Sequence, residues 1–503
     1  MSLATERESP SGQSSRPRHD PLRVAFGLAI PAIAGGLSTL LMPRGPVTPI
    51  DSLVSMLVGA GVGIASGWLV GRWALVASPV LFAACFELGR LGLESPSLDG
   101  IHLDSAFGIV LFVTTRGFHF AVAIVPMLWG SLIGSSAARR ADQGKDFIHA
   151  LPKTSTILLM LVMSVASVVI TRPAVTAPIL GADGARLADS MAELATVDLG
   201  GHDQAVMIRG DDIDNPILLY LTGGPGNSDL GYTRTFLERL EDDFVVVAWE
   251  QRGVGKSYPA LDPLSSLTPE SAVTDVVDLT TYLADRFGTE KIYLLGNSWG
   301  SLIGVLAAQQ RPDLYHAYIG AGQMVSPLET DLRLYHQILE YAERTGDSKL
   351  SARMTGYGPP PYADLYAYMT VIEHYGDLEP YQETSEFAKG VPGIQGTGVS
   401  EYGFMDRLNV FRGLADMGGA MYPQVQDLDL RRDVPSLQVP VYLIQGAHEL
   451  TARSDLAAEY AGTLRAPRIT VEFFEDSGHI PHFEEAERFH RYLVDVVLPE
   501  TRS

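Results

Sequence analysis

The sequence predicts an α/β fold, a mostly parallel sheet with helices on both faces, behind an all-α membrane domain of about five helices. Three observations predict it. The first third of the chain carries apolar runs about as long as a bilayer is thick. From about Leu187, short apolar strands alternate with helical stretches. The charge changes where the texture does. Of 37 Lys/Arg and 59 Asp/Glu in 503 residues, positions 1–180 hold 13 and 10, leaving 24 and 49 for positions 181–503. The second part is therefore strongly acidic, which excludes nucleic acid as a partner, because phosphate contacts need dense Lys/Arg.

Residues 1–23 are polar, rich in Ser, Pro and Arg, and predict a disordered cytoplasmic tail. Residues 24–172 form the predicted transmembrane domain. Its apolar runs are 24–42, 52–70, 73–88, a stretch within 107–134, and 154–171. A cleaved signal peptide accounts for one such run, not five. Arg116 and His119 interrupt the fourth stretch. With the span proper at 117–135, Arg116 is expected at the interface, snorkelling. Gly59, Gly63 and Gly67 make a small-residue stripe suited to close helix packing. Arg7, Arg16, Arg18 and Arg23 in the tail, and Arg139, Arg140, Lys145 and Lys153 before the last span, mark the cytoplasmic side. The loop with Arg90 carries Glu94, Asp99 and Asp104. Five spans then put everything after Thr171 outside the cytoplasmic membrane. The single cysteine, Cys85, rules out a disulfide within the chain.

After a linker at 173–186, residues 187–326 read as the first part of the α/β core. "ATVDLGGHDQAVMIRG" predicts a hairpin turning at Gly200 and Gly201. "PILLYL" and "FVVVAW" are continuous apolar runs, the mark of buried parallel strands. Thr268 caps a helix that runs to Phe287. "KIYLLG" is a strand and "SLIGVLAAQQ" a helix, with "AYIGAG" the strand after them. Residues 327–433, rich in Tyr, Gly and Pro, break the rhythm and read as an inserted, mainly helical cap. Residues 434–503 complete the core through "VPVYLIQG" and "ITVEFFE".

Gly296-Asn297-Ser298-Trp299-Gly300 lies between strand and helix and fits a nucleophile elbow, G-x-S-x-G. The strand must reverse into a helix within a few residues, so close neighbours must be glycine. A serine hydroxyl needs a base, and the base an orienting acid. Glu449 and His479 each stand just past a later strand end, in the chain order serine, acid, base. His482 is the rival base, deeper in the segment. Among other acids, Asp455 is expected to cap a nearby helix, and Asp476 lies too near His479. "LTGGPGN" lets backbone N–H groups approach a substrate oxygen, so Gly224 and Trp299 are the predicted oxyanion donors. Gly255-Lys256-Ser257 lacks the first glycine of a phosphate loop, since position 250 is Glu. His479 and His482 have no zinc-motif spacing. No metal and no organic cofactor is expected.

"GGPG", "EQRGVGKS", "GNSWGS" and "SGHIPHFEE" together resemble the proline iminopeptidase (prolyl aminopeptidase) branch of the α/β-hydrolases, over about residues 190–500. The resemblance implies an α/β-hydrolase fold with a helical cap, and release of N-terminal residues, often proline, from short peptides. It implies Ser298 as nucleophile, His479 as base, Glu449 as acid in place of Asp, and Gly224 in the glycine loop. Thr222 stands where the family usually has His, and Glu250 where it has Asp. Cap carboxylates hold the substrate amine in the family. Glu329, Glu340, Glu343 and Glu373 are available here, and none matches a motif. Two other readings stay open: an esterase or lipase-like hydrolase of apolar esters, and a membrane sensor or transporter whose hydrolase fold only binds ligands. The partners expected are a short peptide or small ester and the lipid bilayer.

Overall fold

The computed structural model describes residues 20–93, 102–103, 105–143, 151–362 and 365–501. The tail arginines Arg7, Arg16 and Arg18, with Glu94, Asp99, Asp104 and Lys145, lie outside the described residues. The chain divides into two compact units. One comprises Met1–Pro46, Ile50–Leu91 and Phe118–Ser167, the other Val47–Pro49, Gly92–Gly117 and Val168–Ser503.

The first unit is helical. Asp20 caps Pro21–Leu41 by accepting the Leu22 amide at 3.0 Å. Among the described residues, four stretches are long and apolar enough to cross a bilayer by length and composition: Pro21–Leu41, Pro49–Gly89, Ala106–Ala141 and Lys153–Thr171. The sequence counts five runs because Pro49–Gly89 holds two of them. Helices Pro49–Val70 and Ala74–Gly89 meet at the turn Gly71–Trp73, where Gly71 has φ +70°. Ser78 Oγ donates to Ser66 Oγ at 2.8 Å, and Val62 packs with Phe82. Residues equidistant from the turn thus meet, so the two helices fold back antiparallel. The glycine stripe works by absence of side chains: a Cβ on Gly59, Gly63 or Gly67 would lie 2.1, 2.0 or 2.4 Å from the Ala123, Met127 or Ser131 carbonyl.

The second unit holds an eight-stranded sheet of order β1-β2-β4-β3-β5-β6-β7-β8. The strands are β1 Met191–Leu199, β2 His202–Gly210, β3 Ile217–Leu221, β4 Val245–Trp249, β5 Ile292–Ser298, β6 Tyr315–Gln323, β7 Val441–Gly446 and β8 Ile469–Phe474. The β1–β2 hairpin turns at Gly200 and Gly201, and β2 pairs antiparallel with β4; all later pairings are parallel. Period-two alternation sorts the continuous apolar runs onto two faces. Leu219, Leu221, Val247 and Leu294 pack on one side, and Leu218, Tyr220, Val246 and Leu295 on the other. Helices Pro269–Phe287 and Trp299–Gln310 cover the first face; Phe489 and Leu493 near the C-terminus cover the second. Thr268 caps its helix through a reciprocal pair with Ser271.

Between β6 and β7 the chain makes a helical excursion, including Pro327–Thr345, Ser348–Tyr357 and Phe404–Met421. Helix Ala106–Phe112 and the π turn Val113–Gly117 also belong to this unit. Phe107 and Leu111 pack against Leu414 and Ala415. Here the structure corrects the sequence reading of Arg116. It sits in the π turn and is buried, not spread into an interface.

Candidate active site

Ser298 ends β5, in the middle of the sheet, and the next residue opens helix Trp299–Gln310. Its φ is +50°, on the left-handed side that an L residue avoids, at a cost of ~1–3 kcal/mol. The flanking glycines are required by space. A Cβ on Gly296 would lie 2.5 Å from the Gly300 carbonyl oxygen, and one on Gly300 2.1 Å from that of Leu221. Ser298 occupies the helix N-cap, yet its side chain makes no capping hydrogen bond. The carbonyl is held instead, by Ser301 Oγ at 2.5 Å, while Ser301 accepts the Met324 amide at 2.9 Å.

His479 lies in the turn after β8, and its Nδ1 hydrogen-bonds Glu449 Oε2. Glu449 follows β7 and is buried. Its Oε1 accepts the Leu450 amide at 2.9 Å, and Arg453 Nη1 stands 3.5 Å away. Burial by itself would raise this carboxyl's pKa. The His479 imidazole, then Arg453 and the Leu450 amide, outweigh burial and bring it down to about 2. With Nδ1 engaged, Nε2 is the ring nitrogen left for other work. Ser298 and His479 line one pocket of about 20 Å³, walled also by Met324, Thr330, Tyr422 and Arg453.

The glycine loop after β3 comes alongside the serine. A Cβ on Gly223 would lie 3.3 Å from Ser298 Cβ. Asp229, further along the loop, accepts the Tyr220 hydroxyl at 2.8 Å. Gly224, the residue after Gly223, has φ +114°. The Trp299 indole donates to Gln251 Oε1 at 2.9 Å. Glu250 is buried and braces this loop through Ser228, with Tyr402 at 3.1 Å. Burial pushes its pKa up to about 7.

The rival His482 is fully buried, and its Nε2 pairs with Tyr220 Oη at 3.1 Å. Burial, then the nearby His479, lowers its pKa to about 3, so it stays neutral. Asp455 does not cap its helix. Thr451–Thr463 begins four residues earlier, after Leu450. Glu329 is tied to Arg333 at 2.5 Å and to Arg431, and Glu340, Glu343 and Glu373 are exposed. Among the described residues, no group of three or more His, Cys, Asp or Glu is placed to hold a metal ion.

Three supporting residues escaped the sequence reading. Asn297 Nδ2 donates to the carbonyls of Ala321 at 3.0 Å and His479 at 3.2 Å. Gly322, at φ +56°, leaves room for His479; a Cβ there would lie 2.4 Å from the His479 oxygen. Glu484 accepts the Gly478 amide at 2.7 Å and the Tyr381 hydroxyl. The second G of "GAG" in "YIGAGQ" and the acidic pair of "HFEE" were the available signals.

An open parallel-biased sheet with a strained serine after its central strand, and an acid and histidine after later strands, defines an α/β hydrolase. A family profile described as the alpha/beta hydrolase fold matches residues 216–486, and the chain belongs to that family. Within it, the chain is similar to a protein named probable aminopeptidase YbaC of Bacillus subtilis (strain 168), 32% identical over 305 residues, 60% of this chain and 94% of the relative. It is also similar to the proline iminopeptidase of Lactobacillus delbrueckii subsp. lactis, 23% identical over 296 residues, 58% of this chain and 94% of the relative. A crystal structure of proline iminopeptidase from Mycobacterium smegmatis aligns over 61% of this chain and 99% of its own, with 20% identity and a TM-score of 0.44. The chain is thus a serine hydrolase of the prolyl aminopeptidase-like kind.

Proposed function

We propose that this protein is a membrane-anchored aminopeptidase that releases N-terminal residues, proline among them, from short peptides by a Ser-His-Glu acyl-enzyme mechanism. One observation carries the reading: the strained Ser298 and the Glu449-paired His479 line the same pocket. Ser298 Oγ attacks the scissile carbonyl carbon, and His479 Nε2 takes its proton. Glu449 stays ionised, fixes the tautomer with the proton on Nδ1, and stabilises the imidazolium that forms. The Trp299 amide, at a helix N-terminus, and the Gly224 amide hold the oxyanion. His479 then protonates the departing amine, and water, deprotonated by the same imidazole, releases the acyl group.

On this reading the chain crosses the membrane five times and the hydrolase lies outside the cytoplasmic membrane; the basic residues Arg139, Arg140 and Lys153 support that orientation as the inner flanks. The test uses the full chain in detergent. Hydrolysis of a prolyl arylamide is expected, with acyl esters as the parallel substrate, and Ser298→Ala is expected to abolish both turnover and labelling by a fluorophosphonate. Turnover of esters alone would replace the peptidase reading with the esterase one. Wild-type rates in Ser298→Ala would remove the serine from the mechanism.

A further inference from the structure

We propose that Arg412 is a positioning residue for the oxyanion loop, and that residues 105–117, apolar enough to read as membrane helix, belong to the catalytic machinery through it. The proposal rests on the oxyanion reading given above. Arg412 lies on the Phe404–Met421 helix and is fully buried. Its Nε donates to the Thr114 carbonyl at 2.9 Å, Nη2 reaches the same oxygen, and Nη1 donates to Asn409 Oδ1 at 3.0 Å. A buried guanidinium is tolerated only where its donors find acceptors. The acceptor here belongs to the π turn Val113–Gly117, a geometry often found at functional positions. Phe107 and Leu111 add an apolar contact to Leu414 and Ala415. Asn409 Nδ2 makes a second tie, to the Val47 carbonyl at 2.9 Å.

The same helix touches the glycine loop with backbone. A Cβ on Gly226 would lie 2.7 Å from the Gly413 oxygen and 2.9 Å from Leu414 Cα; one on Gly418 would lie 3.0 Å from the Pro225 oxygen. Pro225 directly follows Gly224. At both approaches backbone meets backbone, so a shift of the helix is passed on to the loop. A helix released from the Thr114 carbonyl therefore moves the loop that carries the Gly224 amide. Displacing a catalytic group by about 1 Å costs on the order of 10²-fold.

The experiment compares the full chain in detergent with Arg412→Met, Arg412→Lys and Phe107→Ala. The readouts are the rate of Ser298 phosphonylation by a fluorophosphonate per active site, and kcat and KM for a prolyl arylamide, with the folded fraction taken from active-site titration. Loss of oxyanion stabilisation lowers kcat while KM stays near its wild-type value. Arg412→Met is expected to slow phosphonylation and kcat per site by about tenfold or more, Arg412→Lys to restore part of both, and Phe107→Ala to slow both less. Wild-type rates per site in Arg412→Met, with only a smaller titre, would overturn the proposal. If Arg412→Met does not fold, Phe107→Ala decides: unchanged rates per site refute it, slowed ones support it. A wild-type chain that takes the probe but spares the arylamide sinks the aminopeptidase reading and leaves this test intact.

Discussion

Gly322→Ala tests the placement of His479 most directly. Two effects follow from the geometry at Gly322. The backbone there is left-handed, φ +56°, which costs an L residue ~1–2 kcal/mol. The new methyl would also sit 2.4 Å from the His479 oxygen, 3.0 Å from Nδ1 and 3.2 Å from Cε1, where ordinary contact begins at 3.4 Å. The histidine backbone must therefore retreat by about 1 Å, and the 3.2 Å hydrogen bond from Asn297 goes with it. A displacement of about that size costs on the order of 10²-fold in rate. Gly288→Ala is the control: its φ is +67°, yet nothing lies within 4 Å of the added Cβ. Gly288→Ala is expected to lose ~1–2 kcal/mol of stability, and Gly322→Ala a further ~1–3 kcal/mol from the clash, so rates are compared per folded enzyme. Only Gly322→Ala is expected to lose kcat on a prolyl arylamide. Activity in Gly322→Ala within a few-fold of the control would refute the claim that imidazole placement limits the rate.

Two further predictions concern pH and the helical unit. Burial raises the Glu484 pKa from 4.5 to about 7, against the Tyr381 and Gly478 hydrogen bonds. The folded chain then holds this proton more tightly than the unfolded one. Its contribution to stability is full below pH 4.5 and is lost as pH rises through about 7; Glu484→Gln should flatten part of that decline in melting temperature, and an unchanged slope would count against it. Gly63→Ala pushes a methyl to 2.0 Å from the Met127 carbonyl. Forced overpacking of this kind costs ~1–3 kcal/mol, so the detergent-solubilised chain should melt earlier; an unaltered melting curve would mean that these helices do not pack through the stripe.

The strands were legible because each is a short apolar run bounded by turn residues, as "ILLYL" and "VVVAW" are. The pairing of His479 with Glu449 was legible because both follow strand ends, which a parallel sheet gathers at one edge. Asn297 and Gly322 were not, because their importance lies in contacts with His479 across the fold, and a residue inside the elbow or a glycine at a strand end does not say what it will meet. The tie from Arg412 to Thr114 joins residues 298 positions apart, and periodicity within a window cannot register it. Hydropathy also merged what the backbone separates. Ala106–Phe112 and Phe118–Ala141 read as one greasy stretch, and the π turn that parts them leaves no mark in composition.

The small chamber beside Ser298 has a kinetic consequence. About 20 Å³ accommodates roughly one water molecule, enough for the deacylating nucleophile and far too little for a prolyl group. Thr330 and Tyr422, both supplied by the excursion between β6 and β7, form part of its wall. Outward movement of that wall is the expected state with an acyl donor bound, a mechanical step added to the chemical ones, and a structure of a Ser298 adduct with Thr330 and Tyr422 unmoved would refute it.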